Sequence, residues 1–243
     1  NESLKDKTVL IRVDLNVPFI DGKVQDKTRI KSLVPSIIEL IKKKAKVVIC
    51  SHLGRPNGNI NLKYSLKPLL KILSKELGIK VLFSSDCIGD EATKKKKNLK
   101  NGQVLLLENV RFHKGEEIND KDFSANLASN CDLYINDAFS CSHRNHASII
   151  GVTNYLPSFL GLNLEKEILA LDSVLTNPKK PVISIVGGSK VSTKIGIIKF
   201  LALKMDFVII GGAMANTFIA AMGNKVGKSL HEKDALNIAR EII

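Results

Sequence analysis

The chain of 243 residues contains no tryptophan, and its aromatic content is only 5%. Arginine is also scarce, because only six of the 37 Lys and Arg residues are Arg. The net charge of +13 would fit a nucleic-acid partner. Bases stack on aromatic side chains, however, and few are available here. We therefore expect no nucleic-acid partner and interpret the densest basic run, residues 94–97, as a solvated surface.

Paired cysteines and long apolar runs are also absent. The four cysteines, Cys50, Cys87, Cys131 and Cys141, form no C-x-x-C pair, which argues against a zinc finger and is typical of free thiols in a reducing compartment. No apolar run is long enough to cross a bilayer. We expect a cytoplasmic protein with no membrane partner and no metal site within this chain.

Predicted strands and helices alternate along the first two thirds of the chain. Short β-rich apolar runs predict strands at residues 9–13, 46–50, 80–83, 104–107 and 133–136. Apolar residues at helical spacing predict helices at residues 30–44, 66–77 and 123–130. The repetition indicates an α/β fold, in which helices cover both faces of a parallel sheet in three αβα layers.

A further amphipathic helix, bounded by Pro157, Pro178 and Pro181, indicates a connection between two domains. We place a first domain at residues 1–159, an interdomain helix at residues 160–177 and a second domain at residues 178–243. The second domain has two predicted strands, at residues 182–186 and 207–210, and helices at residues 193–204, 215–222 and 233–243. Two strands do not make a stable α/β domain, so we expect the second domain to be incomplete.

Five of the six arginines lie in a predicted strand or beyond its carboxyl end. Alternation along the first strand also places Arg12, Asp14 and Asn16 on one face. Ligands of open α/β sheets bind beyond the carboxyl ends of the strands, and Arg grips phosphate or carboxylate with two hydrogen bonds. We therefore predict one basin for a small anionic metabolite with a hydroxyl group. Its residues are Asp14, Asn16, Arg29, His52, Arg55, Arg111 and Arg144.

Two other interpretations of these side chains were weighed. Each Arg could pair separately with an acid at its own strand end. His143 and His146 could bind a metal, but they have no third ligand at a fixed spacing. We favour an anion contact or a structural hydrogen bond for the two histidines.

Glycine turns follow both strands of the second domain. Glycine lets the backbone approach a ligand closely, and a helix N-terminus favours phosphate. The first turn also carries two lysines, although it matches neither G-x-x-x-x-G-K-[ST] nor G-x-G-x-x-G. Together the turns predict a cradle for nucleotide phosphates. Its residues are Gly187, Gly188, Ser189, Lys190, Lys194, Gly211, Gly212 and Ala213.

Six stretches together resemble the phosphoglycerate kinase family, in order and spacing, over nearly the whole chain. They are Arg12-Val-Asp-Leu-Asn-Val-Pro18, His52-Leu-Gly-Arg-Pro56, Leu106-Leu-Glu-Asn-Val-Arg-Phe-His113, Asn136-Asp-Ala-Phe139 with His143-Arg144, Gly187-Gly-Ser-Lys-Val-Ser-Thr-Lys194 and Gly211-Gly-Ala-Met-Ala215.

The resemblance implies two Rossmann-like domains that close about a hinge near the interdomain helix. The first would bind 3-phosphoglycerate or 1,3-bisphosphoglycerate through the seven basin residues. The second would bind ATP or ADP with Mg²⁺ through the glycine turns. Arg29 and Lys194 would stabilise the phosphoryl group during transfer in glycolysis. We also expect a monomer.

The chain departs from the family pattern in a few places. Ser140-Cys-Ser142 stands where the family usually has Gly and small residues, Ser189 replaces a usual Ala, and Ala213 replaces a frequent third Gly. Family members also continue well past residue 243. We therefore expect this chain alone to have little or no kinase activity.

Two other classes of function stay open at this point. The chain could be a metabolite-binding module without catalysis, which restoring a C-terminal continuation would distinguish. It could also be a basic nucleic-acid-binding protein, whose affinity would fall steeply with salt for many sequences.

Overall fold

The computed structural model describes residues 3–20, 23–176 and 178–243. These residues form two units, Asn1–Ile168 and Leu169–Ile243. The helix Leu162–Leu175 contains the point of division. It lies within the segment that the sequence predicts as a connector.

Six parallel strands form the main sheet of the first unit. In chain order the strands of this unit are β1 (Thr8–Arg12), β2 (Phe19–Ile20), β3 (Lys23–Val24), β4 (Lys46–Cys50), β5 (Val81–Phe83), β6 (Val104–Leu106), β7 (Leu133–Asn136) and β8 (Ser158–Leu160). The sheet order is β5-β6-β4-β1-β7-β8, and β2 and β3 form a separate antiparallel hairpin. The five predicted strands are confirmed. The prediction missed the hairpin and β8, a three-residue edge strand whose residues are all exposed and which shows no buried apolar pattern.

Helices cover both faces of this sheet. They are α1 (Thr28–Lys42), α2 (Leu70–Leu77), α3 (Gly89–Lys97) and α5 (Lys121–Ala128). Two further helices, α4 (Lys114–Glu117) and α6 (Leu162–Leu175), contribute none of the described residues that form the apolar clusters on the sheet. Val9 and Ile11 of β1 pack in one apolar core with α1 and α2, whereas Leu10 packs in the other with α3 and α5. The predicted three-layer α/β arrangement is therefore confirmed.

The helix ends follow local chemistry. Asp26 accepts hydrogen bonds from the main-chain N–H and hydroxyl of Thr28, so α1 begins there, two residues before the predicted start. Arg29 therefore lies in the first turn of a helix and not in a loop. Gly78, with a φ of 68°, ends α2 in the left-handed conformation that favours glycine.

The basic run at residues 94–97 is not uniformly solvated. Lys94 and Lys97 are exposed, but Lys96 is only 2% exposed. Its Nζ donates to the carbonyl oxygens of Leu127 (2.8 Å) and Ser129 (3.2 Å). The last carbonyls of a helix lack partners within the helix, and Lys96 supplies one at the end of α5. The prediction of a solvated surface is wrong for this lysine.

The second unit contains a two-stranded parallel sheet. Its elements are β9 (Ile183–Gly187), α7 (Ile195–Lys204), β10 (Phe207–Gly211), α8 (Ala213–Ala221) and α9 (Leu236–Ile242). The predicted helix at residues 233–243 is a 3₁₀ turn, Lys233–Ala235, followed by α9. Ile185 and Leu203 are 75% and 86% exposed, so this unit leaves apolar surface uncovered. Among the described residues, no helix has the length and apolar character that crossing a membrane requires.

The two kinds of lysine in α3 should respond differently to truncation. Replacing Lys96 with Ala leaves two carbonyls without their charged donor, and we expect it to lower the free energy of unfolding by about 1.5–3 kcal/mol. Lys97→Ala is the matched control and should change it by no more than about 0.5 kcal/mol. Urea denaturation followed by circular dichroism measures both. Equal effects would contradict the assignment of Lys96 to the end of α5.

Candidate functional site

The register of the sheet brings the carboxyl ends of three strands together. Arg12 of β1 lies beside Cys50 of β4 on one side and beside Asn136 of β7 on the other. Because these strands are parallel, the segments that follow them leave the sheet at one edge. The predicted basin residues Asp14, His52 and Arg144 all belong to those segments.

Asp14 is the centre of a polar cluster at this edge. Its Oδ2 lies 2.9 Å from Nη1 of Arg29 and accepts a hydrogen bond from the Ser140 hydroxyl (2.5 Å). Its Oδ1 accepts from the main-chain N–H of Asn16 (2.9 Å). Arg29 also donates to the carbonyl of Asn16 (2.8 Å). The Arg29 side chain remains 48% exposed, so donors of its guanidinium stay open to a ligand.

A cavity of about 240 Å³ lies beside this pair. Asp14 and Arg29 line it together with Ser140, Asn163 and Glu167. Asp14 offers a carboxylate acceptor and Arg29 a cationic donor to anything that enters. The carboxylates of Asp137 and Glu167 also line the cavity. Because acids outnumber the one arginine, a ligand hydroxyl matches this lining better than an anionic group.

Arg12 points into the protein and is 1% exposed. Its guanidinium donates to the Ser148 hydroxyl (2.9 Å) and to the carbonyl of Val13, and its Nη2 lies 3.0 Å from Nδ1 of His52. The sequence places Arg12 on one face with Asp14 and Asn16. In the structure its side chain is buried and contacts the basin residue His52 from the protein interior.

The contact with Arg12 fixes the chemical state of His52. Arg has only donors, so Nδ1 of His52 accepts and the ring proton lies on Nε2. Burial, with the positive charges of Arg12, Arg111 and Arg144, holds the pKa of His52 well below its usual range. His52 is therefore a neutral N–H donor, and the positive charges of Arg111 and Arg144 act on its ring.

Arg111 is held firmly in place. Its side chain is 3% exposed, and its Nη1 donates to the carbonyl of Gly54 (2.9 Å). The N–H of Gly54 in turn donates to the side-chain carbonyl of Asn16 (2.9 Å). Nε of Arg111 lies 3.5 Å from Glu117 and makes no hydrogen bond. The side chains of Asn16 and Arg111 thus both form hydrogen bonds to the main chain of Gly54.

Two basin arginines have no acidic partner. Within residues 3–20, 23–176 and 178–243, the side chains of Arg55 and Arg144 form neither a hydrogen bond nor an ion pair. Arg144 is half-buried close to His52, whereas Arg55 is exposed. Separate pairing with acids therefore accounts for Arg29 but not for Arg144. No contact among the described residues joins Arg55 to the rest of the basin.

A buried carboxylate that sequence reasoning missed lies behind Arg12. Glu116 is fully buried and accepts from the main-chain N–H (2.9 Å) and hydroxyl (2.6 Å) of Ser148. Nδ1 of His146 lies 3.6 Å from it, which gives His146 the structural role favoured above. His143 is exposed. No local pattern distinguishes Glu116 from the neighbouring Glu117, so only the fold reveals it.

The glycine turns of the second unit touch each other. A Cβ on Gly212, whose φ is 68°, would come within 2.8 Å of the carbonyl oxygen of Gly188. That oxygen accepts from the N–H of Met214 (2.9 Å). Nothing lies within 4 Å of a Cβ placed on Gly187 or Gly211. The glycines thus permit close packing between the turns and leave open backbone beside it.

Several polar groups of the first glycine turn already form hydrogen bonds within the protein. Nζ of Lys194 donates to the carbonyl of Gly187 (2.8 Å). The carboxylate of Glu232, which sequence reasoning missed, accepts from the N–H groups of Val191 and Ser192 and from the Ser192 hydroxyl (2.6 Å). Helix α7 also begins two residues later than predicted. An anion at this turn would therefore meet the lysines and the backbone before Val191.

The state of His52 can be measured directly. We expect its ring to stay neutral, with the proton on Nε2, between about pH 5.5 and 8, where free histidine titrates. Long-range ¹H–¹⁵N correlation spectra distinguish the two ring nitrogens and any imidazolium. A His52 signal that titrates with a midpoint near that of free histidine would contradict this assignment.

Comparison with known proteins gives one consistent result. The family model described as phosphoglycerate kinase matches residues 1–243. The phosphoglycerate kinase of Brucella melitensis biotype 1 is 53% identical over 241 residues, which are 99% of this chain and 61% of that protein. The phosphoglycerate kinase of Xanthobacter flavus is 52% identical over 240 residues, 99% of this chain and 60% of that protein. The chain thus spans about three fifths of the length of these relatives.

Solved structures agree with the sequence comparisons. Phosphoglycerate kinase from Coxiella burnetii superposes with a TM-score of 0.87 at 42% identity, covering 100% of this chain and 61% of that one. Phosphoglycerate kinase from Pyrococcus horikoshii superposes with a TM-score of 0.86 at 33% identity, covering 99% of this chain and 63% of that one. With a family model that matches the whole chain, and with relatives more than half identical along nearly all of it, this chain belongs to the phosphoglycerate kinase family.

Proposed function

We propose that the protein to which this chain belongs transfers a phosphoryl group reversibly between 1,3-bisphosphoglycerate and ADP, giving 3-phosphoglycerate and ATP. The observation that carries the proposal is the set of Arg111, Arg144 and neutral His52 at the carboxyl edge of a parallel sheet. Arg111 has one acid beside it, Glu117 at 3.5 Å, and Arg144 has none among the described residues. The excess positive charge favours a small polyanion. The names of the relatives supply the identity of that anion.

In this proposal the first unit binds the phosphoglycerate. Arg29, Arg111 and Arg144 neutralise its phosphate and carboxylate groups, and His52 donates from Nε2. Asp14 accepts from the substrate hydroxyl, and Asn16 positions Arg29 and Gly54 through its two oxygens. Arg55, exposed and unpaired, would approach the substrate from solvent.

The glycine turns of the second unit would bind the nucleotide phosphates. Their open backbone, the charges of Lys190 and Lys194 and the polar side chain of Ser189 fit an anion. The other residues proposed to line the nucleotide site are Gly187, Gly188, Gly211, Gly212 and Ala213. Glu232, whose carboxylate accepts hydrogen bonds from the first turn, already binds Ser192. We therefore assign Mg²⁺ to the nucleotide phosphates, whose negative charge it would neutralise.

Arg29 and Lys194 are the residues proposed to stabilise the phosphoryl group in transfer. Such transfer depends on positioning and charge neutralisation and needs no protein nucleophile. The thiols fit this view, since burial raises the pKa of Cys50 to about 12 and that of Cys131 to about 11. Both would stay protonated and unreactive at neutral pH.

We also propose that the protein is a cytoplasmic monomer without a nucleic-acid or membrane partner. All four cysteines are free, which fits a reducing compartment. The arginines best suited to phosphate recognition gather at one sheet edge and are not spread along a surface, so the charge pattern fits a small anion better than a polymer.

Substrate binding can be tested on the chain itself. We expect isothermal titration calorimetry to detect binding of 3-phosphoglycerate, and Arg144→Ala to weaken it about 10- to 100-fold because a charged donor is lost. Arg240→Ala is the matched control: Arg240 lies in the second unit and donates to the carbonyl of Ala221. Undiminished binding by a folded Arg144→Ala variant would argue against the basin.

The catalytic role of Arg29 requires the full-length protein. We expect Arg29→Ala to lower kcat by roughly 10³-fold, the scale typical of an arginine that stabilises a transferring phosphoryl group, with a much smaller effect on KM for 3-phosphoglycerate. Arg29→Lys should recover part of kcat because it keeps the charge. A variant that raises KM and leaves kcat unchanged would show a binding role only.

A further inference from the structure

A second group of chemically active side chains lies at the same edge of the sheet, outside the basin. Asp86 and Cys87 follow β5, and His113 follows the 3₁₀ turn Val110–Phe112 beyond β6. Oδ1 of Asp86 lies 2.6 Å from Nε2 of His113. The carboxylate oxygen, the thiol sulfur and an imidazole nitrogen all lie within 4.8 Å of one another.

The three ligand types suit one class of metal. Carboxylate oxygen, imidazole nitrogen and thiolate sulfur are the usual ligands of Zn²⁺, and three protein ligands leave a fourth tetrahedral position for water. Ca²⁺ and Mg²⁺ prefer oxygen ligands only. The set therefore fits a borderline-soft divalent transition metal.

One side of this group faces the protein interior and the other faces solvent. Cys87 is fully buried, whereas the side chains of Asp86 and His113 are 44% and 28% exposed. A cavity of about 350 Å³ adjoins them and is lined by Asp86 and His113 together with Glu91 and Glu108. A metal ion can enter from this cavity and keep a water molecule on that side.

The surrounding charge separates this group from a similar one in the basin. Asp14, His52 and Cys141 lie equally close together, but the positive charges of Arg12, Arg111 and Arg144 act on His52. A metal cation there would be repelled. The cavity beside Asp86 and His113 carries the carboxylates of Asp86, Glu91 and Glu108. They face the ammonium groups of Lys67 and Lys95, and this excess of acids favours a cation.

We propose that Asp86, Cys87 and His113 form a binding site for Zn²⁺ or a related divalent transition metal. Oδ1 of Asp86, Sγ of Cys87 and Nε2 of His113 are the protein ligands, and water from the cavity is the fourth. On binding, the S–H bond of Cys87 breaks, a sulfur–metal bond forms, and the proton passes to solvent. Nε2 of His113 binds the metal as a neutral imidazole nitrogen. The sequence alone predicts no such site because β6 separates the ligands along the chain.

The bound metal would also stabilise the position of the basin residue Arg111 indirectly. His113 lies two residues after Arg111, whose carbonyl accepts from the N–H of Gly58 (3.1 Å). A metal that joins Asp86 to His113 ties the end of β5 to the turn that carries Arg111. The binding proposal does not depend on the proposed kinase activity.

Titration of the chain with Co²⁺ tests the site, because Co²⁺ replaces Zn²⁺ and gives visible absorption in tetrahedral sites. We expect tetrahedral bands together with a near-ultraviolet sulfur-to-cobalt charge-transfer band. Excess Zn²⁺ should abolish them all. Cys87→Ala should remove the charge-transfer band, and His113→Asn and Asp86→Asn should each weaken metal affinity at least about tenfold.

Two controls separate the site from adventitious binding. Cys131→Ala removes a cysteine outside the group, and His231→Asn removes a histidine in the second unit; both should leave the spectrum and the affinity unchanged. Circular dichroism verifies that each variant is folded. Absence of the bands in the unmodified chain, persistence of the charge-transfer band in Cys87→Ala, or an unchanged metal affinity of His113→Asn would overturn the proposal.

Discussion

The buried charge of Arg12 is the constraint on which the first unit depends. A guanidinium removed from water is tolerated only when it is hydrogen-bonded and balanced by an opposite charge. Arg12 meets this requirement with three acceptors, and Ser148 links it to the buried carboxylate of Glu116. These contacts tie β1 to the segment after β4 and to the segment after β7. The loops that carry the basin residues are thus fixed by one buried electrostatic network.

The same network sets the chemistry of the basin. Arg12 donates to His52 and so excludes a proton from Nδ1. The ring then contributes a directed N–H donor without adding a further positive charge to a site already crowded with cations. Arg111 and Arg144 remain charged, and the ion pair of Arg111 with Glu117, at 3.5 Å, leaves their mutual repulsion only partly balanced. A polyanionic ligand would relieve that repulsion, so affinity arises from the arrangement of the arginines as well as from their number.

The two units offer phosphate groups different physical environments. In the first, the proposed ligand would meet side chains, and Arg would supply planar forks positioned by the sheet edge. In the second, glycine lets two turns approach so closely that a Cβ on Gly212 would meet backbone. The exposed backbone would then be the proposed binding surface. The carboxylate of Glu232 accepts from the N–H groups of Val191 and Ser192, so the proposed anion would be confined to the earlier part of the turn. Side-chain recognition suits a small substrate with fixed charges, whereas backbone recognition suits the repeating phosphates of a nucleotide.

Local sequence patterns were enough to predict the α/β class, five of the six strands of the main sheet, and the positions of the polar strand ends and glycine turns. These features depend on local periodicity and on residues such as Gly78 whose backbone preference is intrinsic. Tertiary structure alone decided that Arg12 points inward, that Lys96 is buried at the end of α5, and that β8 joins the sheet edge. It also decided the engagement of Glu232 with Ser192 and the proximity of His113 to Asp86. Each of these depends on contacts between segments far apart in the chain, and a local pattern carries no information about which distant partner will satisfy a charge or a hydrogen bond.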